Sequence, residues 1–168
     1  MAHAPPPETV LVEDYEKERG KPLPSYNHFL VQSQLQYALQ AACGDRFIVG
    51  GELTLATEPS TTPDISVCYF KKPDWLHDEV RASDPPITVA EIMSSSQSVE
   101  DLVPKIETYF RFGVQSVWLV QPPLKQVAVF RPDLEPQVFV EGEVVDATLS
   151  VRVALADIFV IQSPSNAP

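Results

Sequence analysis

Apolar and polar residues follow one another in runs that predict two helices at the start of the chain. Glu8–Arg19 has the pattern of a short helix that ends at Gly20, and Ser25 is a typical N-cap for a longer helix over Tyr26–Ala42. Apolar residues recur at helical spacing in this longer helix and predict a largely buried face. That face carries Tyr26, Phe29, Leu30, Ser33, Tyr37 and Ala41, and is widened by Val31, Leu35 and Leu39.

Shorter apolar runs bounded by turn residues predict a β-hairpin after this helix. The first strand covers Arg46–Ala56 and is broken or bulged at Gly50-Gly51, and the second covers Asp64–Phe70. The segment Lys71–Pro86 is polar and rich in turn residues, so we expect a surface loop there.

A strand–helix–strand unit is predicted next. The strands are Ile87–Met93 and Val114–Val120, and the helix between them ends at Phe112, before Gly113. Two apolar strands separated by a helix favour a parallel pair joined by a right-handed crossover. Asp101 is preferred over Ser98 as the N-cap of this helix, because Pro104 then falls in the first turn, where its missing N–H costs little.

The remaining patterns complete one predicted domain over residues 8–161, with flexible tails at 1–7 and 162–168. Gln126–Arg131 and Gln137–Val140 predict a further hairpin, Thr148–Val153 a strand or turn, and Leu155–Phe159 a closing helical turn. The predicted class is therefore α/β.

Composition narrows the range of functions. With 12 basic and 23 acidic residues the net charge is −11, which argues against broad non-specific binding to nucleic acid. No apolar run has the length of a membrane span and no signal-peptide pattern precedes the domain, so we expect a cytoplasmic protein. Cys43 and Cys68 are predicted to be small, buried hydrophobic residues, and no zinc-binding spacing of Cys or His occurs.

Two acids occupy predicted apolar strands, where an unpaired carboxylate is costly to bury. Asp64 and Glu91 lie 27 residues apart and could meet on neighbouring strands, where they would bind a hard divalent cation. Two alternatives remain open: Asp64 is a turn residue that caps its own backbone, and Glu91 has a buried structural partner.

Further polar residues are candidates for the same site. Asp101, Lys105 and Tyr109 share one helical face, although Lys105 could instead pair with Asp101, and Tyr109 could belong to the core. Glu52 is an additional ligand or a solvated strand residue, and His28 lines the cleft or packs on the surface.

The order of these residues resembles the PD-(D/E)XK nuclease superfamily, and more closely a bacterial family of small restriction-endonuclease-like proteins. The resemblance extends over residues ~8–160, which is nearly the whole of the one domain expected for a chain of this length. The matching stretches are Gly20-Lys21-Pro22, Pro24-Ser25, His28, Thr62-Pro63-Asp64-Ile65, Glu91-Ile92, Ser94, Ser96-Gln97, Asp101-Leu102, Lys105, Tyr109-Phe110, Gly113-Val114, Val117-Trp118-Leu119-Val120 and Pro122.

This resemblance implies a restriction-endonuclease-like mixed central sheet flanked by helices, and hydrolysis of DNA with Mg²⁺ or Mn²⁺. Asp64, Glu91 and the backbone carbonyl of Ile92 would bind the metal. The superfamily lysine belongs two residues after the glutamate, where this chain has Met93, and the resemblance implies that Lys105 replaces it. A homodimer is also expected, since two-strand cleavage needs two sites.

Two functions are consistent with the sequence. The retained Asp64, Glu91 and Lys105 favour a metal-dependent endonuclease. The negative net charge and Met93 favour a catalytically inactive nuclease-fold protein that serves as an interaction or assembly module.

Overall fold

The computed structural model describes residues 22–159, and its elements follow the predicted order. The predicted helix Glu8–Arg19 and both predicted tails lie outside the described residues. Within the described range, no helix is long and apolar enough to cross a membrane. The helices are α1 (Tyr26–Cys43), α2 (Val99–Phe112) and α3 (Leu155–Phe159). The strands are β1 (Ile48–Gly51), β2 (Ile65–Cys68), β3 (Thr88–Ile92), β4 (Ser116–Gln121), β5 (Gln126–Arg131), β6 (Leu134–Phe139), β7 (Glu143–Asp146) and β8 (Val151–Ala154).

Strands β1 to β6 form one mixed sheet in sequence order, and β7 and β8 form a separate hairpin. The β3 and β4 strands are parallel, while the other neighbours in the large sheet are antiparallel. The parallel pair and the β1–β2 hairpin were both predicted, and the α/β class with a mixed central sheet and flanking helices is confirmed.

Both faces of the central strands are buried, because a helix covers each face. On one face, Ala90 and Trp118 pack into the core with Leu35 of α1. On the other face, Val89 and Val117 pack against α2. Central strands buried on both faces read as continuous apolar runs, which is why β3 and β4 were visible in the sequence. By alternation, Glu91 lies on the α2 face with Val89.

The buried face of α1 differs from the predicted one. Val31, Leu35, Leu39 and Cys43 are its buried residues, at a constant spacing of four. The predicted aromatic positions Tyr26, Phe29 and Tyr37 are 73%, 58% and 80% exposed. The prediction was wrong because α1 carries two apolar stripes, and the aliphatic one packs better against the sheet.

The start of α2 also corrects a prediction. Its N-cap is Ser98, not Asp101. The Ser98 Oγ accepts the Asp101 N–H at 3.2 Å and the Asp101 carboxylate accepts the Ser98 N–H at 2.7 Å, so two end groups are satisfied reciprocally. Pro104 consequently lies inside the helix, which continues past it to Phe112.

The observed strand boundaries differ most from the predicted ones where the sequence lacks strong alternation of apolar and polar residues. Both strands of the first hairpin are shorter than predicted; β1 stops at Gly51, and Glu52 follows with a φ of 60°. The β6 strand begins earlier than predicted, and β7 was not predicted at all. The loop at 71–86 lacks helix and strand elements, as predicted. Cys43 is buried and Cys68 is partly buried, and both are free thiols.

Gly51 is the last residue of the edge strand β1 and lies beside Asp64. It has little room for a side chain. A Cβ there would lie 3.2 Å from the Asp64 carbonyl oxygen and 3.1 Å from Gln32 Nε2. We therefore expect Gly51→Ala to lower the free energy of unfolding by about 1–3 kcal/mol, a typical cost of overpacking. Chemical denaturation measures this change. Gly50→Ala is the matched control, since a Cβ there meets nothing within 4 Å, and an equal loss in both variants would contradict the prediction.

Candidate active site

The two predicted acids meet through the register of β2 and β3. Ile65 pairs with Ala90 in this antiparallel ladder, so the next position outward sets Asp64 opposite Glu91. Opposed residues of an antiparallel pair have Cβ atoms about 4.5–5.5 Å apart. Asp64 is 2% exposed and Glu91 is 4% exposed, so both acids are buried side by side.

Asp64 is held by groups from β3 and α1. Its Oδ2 accepts the backbone N–H of Ile92 at 2.7 Å, and its Oδ1 lies 3.2 Å from His28 Nε2. The Gln32 side chain donates to the Asp64 backbone carbonyl at 2.9 Å. The carboxylate therefore reaches across to the neighbouring strand, and the first turns of α1 fix the position of the residue.

Glu91 is held by two side chains of α2. Its Oε1 lies 2.8 Å from Lys105 Nζ and accepts a short hydrogen bond from the Tyr109 hydroxyl. Lys105 and Tyr109 are four residues apart and therefore share one helical face. Glu91 thus has the buried partners that a structural role requires, and it also has a second acid beside it.

The surroundings of Glu91 disfavour its charged form. Burial raises the pKa of Glu91 and the Asp64 charge raises it further, while Lys105 and the Tyr109 hydrogen bond lower it without reversing the shift. Burial, then the Glu91 charge, raises the pKa of Tyr109, so this hydroxyl stays protonated and acts as a donor. A cation beside both acids would favour the charged form of Glu91 and so lower its pKa.

One alternative paired Lys105 with Asp101. In the structure, Lys105 pairs with Glu91 instead. Its side chain is 21% exposed, so the ammonium lies between the buried acids and solvent. Position 93 is two residues after Glu91 and shares its face by strand alternation, but Met93 packs there near Leu102 and Leu119. The positive charge reaches the acids from the helix that covers this face.

The other predicted residues differ in where they lie. His28 lies beside Asp64, and the Tyr109 hydroxyl donates to Glu91, so both residues contact the acid pair. Asp101 is exposed and its carboxylate is engaged in the cap of α2, so the structure does not bring it to the acids. Gln97 accepts the Ser94 N–H at 3.0 Å and shapes the turn after β3. Glu52 is exposed after β1, and its role as a ligand stays a prediction.

Sequence reasoning missed one positioning residue and one buried acid. Gln32 lies one helical turn after His28, and that spacing of four was the available signal. Asp146 is 1% exposed and accepts hydrogen bonds from Ser116 and Trp118, each at 2.7 Å. Asp146 joins the β7–β8 hairpin to β4 and shows what a fully satisfied structural carboxylate looks like in this fold.

The acids suit a hard cation with few protein ligands. Within residues 22–159, no group of three or more His, Cys, Asp or Glu side chains is arranged to bind a metal ion. Mg²⁺ is typically held by one or two carboxylates and completes its shell with water and substrate phosphate. Asp64 and Glu91 are two such carboxylates, and their role as metal ligands together with the Ile92 carbonyl stays a prediction.

The chain is similar to a known protein family and to a solved structure. The model of the Uma2 family, described as "Putative restriction endonuclease", matches residues 17–158. The chain belongs to the Uma2 family. A crystal structure described as a putative nuclease belonging to DUF820 from Anabaena variabilis ATCC 29413 is 26% identical and has a TM-score of 0.72, covering 82% of this chain and 83% of that chain. The predicted resemblance and fold are thereby confirmed.

Two further comparisons add less. The solved DrdV–DNA complex is 15% identical with a TM-score of 0.43, covering 77% of this chain and 80% of that chain, and this similarity is too low to support an inference. No curated protein matches the chain. For this Uma2 protein, the similarity to nucleases therefore rests on the family and on the first structure.

The raised pKa of Glu91 predicts a pH-dependent difference in stability. Above the ordinary value of 4.5 the unfolded chain loses this proton before the folded chain does, so the folded state loses stability as the pH rises towards the raised pKa. Without divalent ions, we expect Glu91→Gln to gain stability relative to wild type across that window and to hold the gain at higher pH. Urea unfolding at several pH values measures the difference.

The control for this measurement is Glu107→Gln, an exposed acid on the same helix. This variant removes a carboxylate from the same helix and leaves Glu91 in place, so a pH-dependent gain seen only in Glu91→Gln would support the prediction. A Glu91→Gln variant that is less stable than wild type by a constant amount at every pH would contradict the prediction.

Proposed function

We propose that the protein is an endonuclease that hydrolyses DNA phosphodiester bonds with Mg²⁺ or Mn²⁺. The observation that carries the proposal is the buried pair of Asp64, directly before β2, and Glu91 on β3, with Lys105 Nζ 2.8 Å from Glu91. A structural ion pair needs only one acid, and the second acid raises the pKa of the first. Binding a cation gives a reason for keeping both.

Each side chain of the site has a role in this proposal. Asp64, Glu91 and the Ile92 carbonyl would hold the ion. When bound, the ion activates water and neutralises charge on the phosphate. His28 and the Ile92 N–H orient the Asp64 carboxylate, and the Tyr109 hydroxyl orients Glu91.

Lys105 has the position of the group that stabilises negative charge at the phosphate. Its ammonium is partly exposed beside a buried carboxylate, so it can face a substrate while Glu91 holds it in place. A compact ammonium concentrates its charge on one nitrogen, which suits the charge that develops on phosphate oxygens during hydrolysis.

The net charge of −11 and the DNA substrate are compatible in this arrangement. The acids repel phosphate when they are empty, and a bound cation reverses the sign of the local charge. We therefore expect divalent ions to strengthen the binding of DNA at the site and to be needed for its cleavage.

A second candidate function, a nuclease-fold interaction module, is favoured by a separate surface. The segment after β2 exposes large apolar side chains, each at least 71% exposed. These are Tyr69, Phe70, Trp75, Leu76 and Val80. Exposed apolar groups of this size are typical of protein contact surfaces. Such a module would need no cation and would not cut DNA.

Plasmid nicking tests the proposed activity. We expect the wild type to nick supercoiled DNA with Mg²⁺ or Mn²⁺ at low salt and to stop when EDTA is added. Asp64→Asn and Glu91→Gln would weaken the binding of the ion, and Lys105→Ala removes a positive charge. Each change should therefore reduce the rate by at least roughly 10²-fold, because the stabilisation of charge at the phosphate is lost. Gel electrophoresis of the nicked product measures the rate.

Two matched variants control for charge and folding. Glu107→Gln and Lys72→Ala change exposed residues away from the acids, and their rates should equal that of the wild type. Equal nicking by every variant would disprove the site. Absence of nicking together with absence of Mg²⁺-induced thermal stabilisation would favour the interaction module.

The shared face of positions 93 and 105 gives a rescue experiment. We expect the double variant Met93→Lys, Lys105→Ala to recover nicking lost in Lys105→Ala, because a lysine at 93 projects from the same sheet face as Glu91. Met93→Leu, Lys105→Ala is the control, since it changes the same side chain without adding charge. Equal rates for the two double variants would show that position 93 cannot supply the charge.

A further inference from the structure

A cleft of about 560 Å³ opens beside the acids, at the carboxyl ends of β3 and β4. We call it the α1 cleft. His28 lines it and also contacts Asp64, so one side chain belongs to both the cleft and the acid pair. The volume is in the range of small-molecule sites, about 300–1,000 Å³. Its walls include Leu30, Gln34, Met93, Pro122, Lys125 and Phe159.

The charge of the α1 cleft differs from that of the whole protein. The chain carries a net charge of −11, yet the residues that line the cleft include neither Asp nor Glu. Lys125 is their one permanent cation, and it is exposed at the rim. A negatively charged ligand is therefore repelled less here than over most of the described surface.

The chemistry of the walls suits a flat, partly polar ligand. Leu30, Met93 and Phe159 offer apolar contact, while Gln34 offers an amide. The Gln34 Oε1 is buried and has no hydrogen-bond partner among the described residues. Gln34 is part of the cleft lining, and the terminal torsion of a glutamine is broad, so this amide can rotate to meet a ligand. An amide can donate to and accept from the edge of a nucleobase.

We propose that the α1 cleft binds an unpaired nucleobase of the DNA strand that is cut, so that the preferred substrate is locally unpaired or single-stranded DNA. This inference rests on the proposed function. The base packs between the apolar walls with its edge at Gln34, Lys125 contacts a neighbouring phosphate, and the adjoining phosphodiester lies past His28 at Asp64 and Glu91. A base that is stacked and paired in an intact duplex cannot enter such a cleft.

Fluorescence anisotropy in EDTA at low salt tests the inference without cleavage. Three labelled duplexes of one sequence are compared: fully paired, with one unpaired adenosine, and with an abasic residue at that adenosine. We expect the wild type to bind the unpaired adenosine on the order of tenfold more tightly than either other probe, as stacking of one base supports. Equal affinities for the adenosine and abasic probes would overturn the inference.

Variants assign this preference to the cleft. Two cleft variants, Gln34→Leu and Leu30→Gln, should each reduce it several-fold, and Leu30→Gln, at a partly exposed position, keeps the test valid if Gln34→Leu unfolds. Lys125→Gln should weaken the binding of all three probes alike, because each of them keeps the neighbouring phosphate. Gln115→Leu and Lys72→Gln are matched controls, because both residues are exposed and lie outside the cleft lining. A preference that survives in both cleft variants would overturn the assignment.

The result is separable from that of plasmid nicking. Base-dependent binding without any nicking would support the cleft and overturn the catalytic proposal. Metal-dependent nicking by a protein that binds all three probes equally would support the catalytic proposal and overturn the cleft.

Discussion

The pairing of Asp64 with Glu91 is the constraint on which the site depends. A carboxylate that is 4% exposed loses most of its hydration, and a second carboxylate opposite it adds repulsion. Lys105 and Tyr109 compensate for part of this cost, yet the pKa of Glu91 stays raised. The fold therefore maintains an arrangement that disfavours the charged form of Glu91. Strongly perturbed pKa values of this kind cluster at functional sites.

Asp146 shows the contrast inside the same molecule. It is also buried, but its carboxylate accepts hydrogen bonds from the Ser116 hydroxyl and the Trp118 indole, with no second acid described among its partners. Neutral donors satisfy its charge and tie the β7–β8 hairpin to the central sheet. The fold can therefore bury one acid with neutral donors, and the crowding at Asp64 and Glu91 is a feature of that position.

Much of this fold could be predicted because its central strands are buried on both faces. Such strands give uninterrupted apolar runs, and an acid inside one of them, such as Glu91, is conspicuous. The sequence predicted that Asp64 and Glu91 could meet on neighbouring strands, but not the antiparallel register of β2 and β3. Features set by tertiary packing were not visible: α1 has two apolar stripes, and only the sheet decides that Leu35 rather than Tyr37 is buried.

The same reasoning explains why one site residue was missed and another misplaced. Gln32 acts on a backbone carbonyl, and an interaction of that kind leaves no mark on the pattern of charges. Asp101 carried the right charge at the right helical spacing, but its carboxylate is used by the cap at Ser98. The Asp101 carboxylate is engaged at this cap, and Lys105 pairs with Glu91. The cap thus fixes the start of α2, and the start of α2 decides that the one lysine of this helix faces the acids rather than solvent.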